Sequence, residues 1–153
     1  MADGLLDFAV IYTPQVIPGL TIEKLFDENI VLVATQREKG RRSPAAAGWQ
    51  KDYVFVDWGG EYRAEHALAW PDMDTPAVHF SVGTVALEFI LRQGGAGYFP
   101  HRMVRDLIAE RRLFAVPGAA AFRRSVYLMK AATALEPHLE DVLGGLRAIA
   151  EAA

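Results

Sequence analysis

Hydrophobic and polar positions divide the chain into short, well-punctuated segments. Leu6 to Tyr12 reads LDFAVIY, an apolar run rich in β-formers, bounded by Asp3-Gly4 and Thr13-Pro14. A run with so little alternation predicts a strand buried on both faces, as parallel sheets require. Thr21 to Phe26 alternates as an edge or half-buried strand does, and Asn29 to Thr35 (NIVLVAT) predicts a second buried strand. Tyr53 to Asp57 (YVFVD) and Ala77 to Ser81 (AVHFS) predict two more, with a short helix over Glu61 to Ala69 closed by Pro71.

The spacing then predicts a helix over Thr84 to Gln93 that is buried on most sides, because Val85, Leu87, Phe89, Ile90 and Leu91 surround it. Glu88 and Arg92 mark its wet edge, and Gly94-Gly95 stop it. Tyr98-Phe99 is a short strand. A helix follows over 101–110 with Met103, Val104, Leu107 and Ile108 inward, and Pro100 is expected in its first turn. Leu113 to Val116 and Ser125 to Met129 are strands. Leu135, Leu139, Val142, Leu143, Leu146 and Ile149 lay one apolar stripe on a terminal helix.

Strands alternating with helices imply an α/β fold with largely parallel sheets. Gln36 to Gly48 (QREKGRRSPAAAG) breaks the texture with basic, Gly, Ser, Pro and Ala residues, as an exposed connection between lobes would. Together with the Pro117-Gly118 turn it suggests two lobes: residues 1–36 with 120–153, and residues 37–119. Two crossings of this kind form a hinge, and the cleft between lobes is a natural ligand site.

Composition narrows the classes. At 153 residues, 52% hydrophobic and 23% charged, the chain is an ordinary globular sequence rather than a disordered one. A formal net charge of −3 gives no general attraction to nucleic acid. The lack of cysteine removes disulfides and thiolate zinc sites, and it fits a reducing cytoplasm. No apolar run approaches the roughly 20 residues of a membrane span. The start MADGLLDFAVIYTP lacks the basic region of a signal peptide, and a strand so near the start suggests a piece of something longer.

Ser81-Val82-Gly83-Thr84 stands between a strand end and a helix start. Backbone N–H groups and the helix dipole there suit an anion, with Ser81 or Thr84 available to cap. Capping the helix and nothing more is the plainer reading, since every helix needs a cap.

Three stretches resemble the effector-binding domain of LysR-type transcriptional regulators. Residues 93 to 100 read QGGAGYFP, similar to that family's Gly-x-Gly-aliphatic-small-x-apolar-Pro, with Gly95, Gly97, Phe99 and Pro100 matching and Gln93 where a glycine is usual. Residues 4 to 35 resemble the run of glycine and Leu-Asp before an apolar strand, a proline-rich turn and a strand pair ending in Leu-Val-Ala. Residues 122 to 130 (FRRSVYLMK) resemble the strand that returns the chain to lobe one.

The resemblance implies a two-lobed fold like the type 2 periplasmic binding proteins, with lobes joined by crossover strands. It also implies that the N-terminal winged helix-turn-helix, the linker helix and the first strand, helix and second strand of lobe one are missing. A small organic effector, an anion with or without an aromatic ring, is then expected in the interlobe cleft, on loops after strand ends. Those loops carry Tyr12 and Thr13, Thr35, Trp58, Ser81 to Thr84 (with Val82 and Gly83), and Phe99 with Pro100. Plain core packing is the alternative for Trp58 and Phe99. The implied partners are the effector and a homodimer or higher oligomer, with DNA reached only through the absent helix-turn-helix. No cofactor, metal or membrane is implied.

Other classes have less to stand on. Glu65-His66, Asp72 with Asp74, His79 and His101 are acid–base candidates, but they form no recognisable catalytic or metal spacing. An enzyme is therefore not expected. A transporter's solute-binding protein would need export. Arg37, Lys39, Arg41 and Arg42 read as a solvated face rather than a nucleic-acid contact.

Overall fold

The computed structural model describes residues 6–35, 48–133 and 137–151. The basic cluster at 37–42, most of the expected connection at 36–48, and Leu135 lie outside them. Within the described residues the chain divides into two compact units: Met1–Glu28 with Arg124–Ala153, and Asn29–Arg123. Both boundaries fall inside strands, in β2 (Leu20–Ala34) and β7 (Phe122–Ala131), each of which runs from one unit into the other.

In the first unit, β1 (Phe8–Ile11) lies antiparallel to β7, with Phe8 opposite Lys130 and Ile11 opposite Tyr127, and β7 in turn neighbours β2. The burial expected of β1 on both faces is not found. Among the described residues its sheet neighbour is β7 alone, which makes it an edge strand with Val10 47% exposed. The helix α4 (Pro137–Glu151) buries Leu143 and Ala150 with Leu139 and Leu146 partly covered, while Val142 and Ile149 face outward. The stripe is thus narrower than the sequence pattern suggests. A bidentate pair from Arg147 to Glu23, at 2.8 and 2.7 Å, ties this helix to β2.

Residues 21–26 and 29–34 belong to one long strand, not two. The polar stretch between them does not break the ladder because its side chains find partners. Ser125 on β7 donates to Asp27 at 2.5 Å, and Tyr12 donates to Glu28.

In the second unit the strands run β2, β5 (Ala96–Pro100), β3 (Tyr53–Val56) and β4 (Val78–Phe80), with the short β6 (Phe114–Ala115) also on β2. β3 is parallel to both β4 and β5, whereas β5 and β6 are antiparallel to β2. The sheet is therefore mixed rather than largely parallel, since β2 enters from the opposite direction.

β5 is buried along its whole length and alternates between two cores. Tyr98 packs with Tyr53, Tyr62, Trp49 and Phe122 beside α1 (Gly60–Ala69). Phe99 packs on the other face with Val54, Val56, Ala86, Ile90 and Val104, under α2 (Gly83–Gln93) and α3 (His101–Ala109).

Only Ala86 and Ile90 of α2 are fully buried, and Val85 is 50% exposed. A helix lying on one sheet hides one stripe, so the expected burial on most sides does not occur. Gly94 ends α2 at φ +84 as expected. Pro100 is the last residue of β5, opposite Ile30, and precedes α3 rather than sitting in its first turn.

Candidate functional site

Register fixes which strand ends share a side of the second unit. β3, β4 and β5 are parallel, so Asp57-Trp58 and Ser81, which follow β3 and β4, and Pro100, which ends β5, share one side. β2 is antiparallel to β5 and pairs Ile30 with Pro100 but Ala34 with Ala96. Thr35 consequently sits at the far side, about 15 Å away along a five-residue strand. There its hydroxyl accepts from the Gly95 N–H at 3.1 Å. The structure does not bring Thr35 together with the other residues.

The corner after β3 is built from Asp57. Its carboxylate accepts from the Gly59 N–H at 2.9 Å and from Arg63 at 2.5 Å, which folds the chain into α1. Trp58 is held by its indole N–H, which donates to the Tyr98 carbonyl at 2.8 Å, and its ring meets Phe99 edge-on at 6.4 Å. The same ring lies directly over Gly83, the first residue of α2. Trp58, Gly83 and Phe99 are thus one assembly. Phe99 and Pro100 are buried, so they back this corner from the core side.

The corner after β4 leaves the start of α2 open. Val82 is the N-cap residue in extended conformation, with no side-chain capping bond, so neither Ser81 nor Thr84 caps the helix as expected. Ser81, Val82 and Thr84 are exposed. Two hydroxyls therefore flank the first-turn N–H groups of an 11-residue helix at its electropositive end. Tyr12 and Thr13 belong to the first unit, half-buried and exposed respectively.

The acid–base candidates are dispersed. His66 is buried and hydrogen-bonded to the Tyr53 hydroxyl at 2.8 Å, and burial holds its pKa below the ordinary value. Burial likewise pushes the Tyr98 phenol up to about 12 and Tyr53 and Tyr62 higher still. His79 bonds the Pro76 carbonyl at 2.9 Å. His101 opens α3 at the surface. No metal-binding group of three such side chains exists among the described residues. Sequence reasoning missed the Asp57–Arg63 bracket and the Trp58–Tyr98 tether. The Asp-Trp-Gly-Gly run, an acidic residue two before a glycine at a helix start, was the available signal for the first.

The LysR substrate binding domain model matches residues 1–150. The chain belongs to that family, a regulator's ligand-binding domain with a two-lobed periplasmic-binding-protein-like fold and not an enzyme family. No curated protein matches the chain in sequence. Solved structures share the fold. The regulatory domain of HypT from Salmonella typhimurium, in apo form, superposes with a TM-score of 0.75 at 14% identity, covering 99% of this chain and 76% of that one. Full-length HypT, a hypochlorite-specific LysR-type regulator, gives 0.70 at 16%, covering 99% and 54%. DarR from Vibrio fischeri, solved with DNA, gives 0.74 at 13%, covering 94% and 51%. The chain thus spans about half the length of these full regulators. Among the described residues no helix is long and apolar enough to cross a membrane.

Proposed function

We propose that this chain is the effector-sensing part of a LysR-type transcription regulator and that a small organic anion binds at the α2 end of the second unit. The observation that carries the reading is the uncapped start of α2, with exposed Ser81 and Thr84 beside a hydrogen-bonded Trp58. Helix N–H groups, two hydroxyls and a rigid aromatic suit a carboxylate on a compact body. In the same proposal the units correspond to the two lobes, Tyr12 and Thr13 are the first lobe's contribution, and Thr35 has no part. Effector binding would favour one lobe arrangement over another. A full-length cytoplasmic regulator, paired as a homodimer or higher oligomer, would pass that bias to DNA-binding domains outside this chain. A solute-binding protein or an enzyme on this fold is less well supported, because the family is a regulator's.

A thermal-shift panel of small aromatic and aliphatic carboxylates tests the site. A ligand should raise the melting temperature with dose by mass action, and Thr84→Val should remove most of that rise without changing the unliganded value. If Thr84→Val keeps the full shift, or no carboxylate produces one, the α2 site is wrong.

A further inference from the structure

The second unit contains an open pocket of about 680 Å³ beside the α2 corner, with which it shares Ser81, between α1, the 70–76 segment and strands β3 and β4. That is the size of ordinary small-molecule sites. The 70–76 segment that forms one wall is held in place. Met73 N–H bonds the Trp70 carbonyl at 3.2 Å, Pro71 and Pro76 stiffen the segment, and His79 bonds the Pro76 carbonyl at 2.9 Å. Trp70 is fixed as well: its indole N–H donates to the Tyr98 hydroxyl at 3.0 Å, and Trp49 packs edge-on at 5.1 Å. Phe55 contributes a second ring, with His79 at 5.3 Å from it.

The charges in the lining do not cancel. Arg63 and Asp57 neutralise each other at 2.5 Å. His66 is engaged by Tyr53. Asp74 remains as a carboxylate on the rim with no ion pair among the described residues. Rigid aromatic walls with one uncompensated negative charge match a cation carrying an apolar body, through ring faces and a counter-ion together.

We propose that this cavity is a second small-molecule site, selective for an organic ammonium ion with an aromatic or branched aliphatic body, with Asp74 as its counter-ion and Trp70 and Phe55 as its walls. The proposal does not depend on where the effector binds. Ser81 also lines the cavity, so an occupant reaches the connection that leads into α2.

The test is titration calorimetry of the 153-residue chain at pH 8 with three probes of one shape: benzylammonium, benzyl alcohol and benzoate. Benzylammonium should bind most tightly. Asp74→Asn should weaken it about tenfold, as loss of a charged partner does. Ala67→Trp, a change at an exposed α1 residue that fills the cavity, should abolish binding while the melting temperature is retained. Thr84→Val should leave it unchanged. The inference is overturned if none of the probes binds, if benzoate binds as well as benzylammonium, or if Asp74→Asn and Ala67→Trp have no effect. It is also overturned if Thr84→Val weakens benzylammonium as much as Asp74→Asn does, since the probe would then sit at α2. Failure of the carboxylate panel would leave these outcomes untouched.

Discussion

Trp58 and Gly83 fit together only because residue 83 has no side chain. A Cβ there would lie within 3.1 Å of three carbons of the indole's six-membered ring. The ring has little freedom to retreat, being hydrogen-bonded to the Tyr98 carbonyl and set edge-on to Phe99. The contact joins the end of β3 to the start of α2, so it shapes the corner where the effector is proposed to bind.

Gly83→Ala should therefore destabilise the protein by about 1–3 kcal/mol, the range for overpacking a filled site. Urea denaturation measures this, and tryptophan fluorescence should report the displaced indole. In a Trp58→Phe background the same glycine change should cost clearly less, because the smaller ring vacates the clash. Additive losses in that double-mutant cycle would show the two residues to be uncoupled.

Gly95 is constrained from two sides at once. It sits at φ +123, and a Cβ would lie 2.6 Å from the backbone carbonyl oxygen of Asp52, which cannot swing away as a side chain can. Strain and overlap together predict a loss of about 2–4 kcal/mol for Gly95→Ala. That exceeds the effect at Gly83, and comparison of the two melting curves checks the ranking.

Most elements of the second unit were legible because local signals agreed. YVFVD, the helix before Gly94-Gly95, and the amphipathic 101–109 stretch each combine a clear period with a clear stop. What failed depended on partners distant in sequence. Asp27 and Glu28 look like a break until Ser125 and Tyr12 are seen to satisfy them. Which side of the second unit Thr35 occupies depends on strand direction, and that is not written in hydropathy. The 70–76 segment gave no signal either, since Pro71 reads only as the close of a helix.

His66 predicts an acid-side loss of stability. Burial holds its folded pKa below the unfolded value of 6.5, so in the window between them the unfolded state binds a proton that the folded state excludes. Stability should be level above pH 7, fall as the pH drops through 6.5, and stop falling from this source below the folded pKa. His66→Gln keeps an acceptor for the Tyr53 hydroxyl but does not titrate, so its stability should lose that slope. Chemical denaturation at half-unit steps from pH 8 to 5 resolves the two profiles, and parallel curves would rule His66 out as the source.

Glu23 titrates in a different window with a different cause. Its bidentate hydrogen bonds from Arg147 lower its pKa from the ordinary 4.5, outweighing the opposing effect of burial, with the charges of Arg147 and Lys130 adding further attraction. A depressed carboxylate pKa means that the pair's contribution is complete above the unfolded value and disappears as the pH falls through the folded one. Both side chains are more than a third exposed, so water and salt screen the pair and its net worth is modest. The mechanical consequence is more specific than the energetic one, because this pair fastens α4 to β2. Glu23→Gln should therefore lower stability at pH 7, and the difference from the parent should shrink steadily below pH 4.5. The same difference should also narrow when salt is raised at neutral pH. Arg147→Lys should recover only part of the effect, since an ammonium cannot reproduce the two parallel bonds of the guanidinium. Hydrogen exchange along α4 offers an independent readout: faster exchange in Glu23→Gln confined to that helix is the expected pattern, and unchanged protection would show that α4 is held by Leu143 and its apolar neighbours alone.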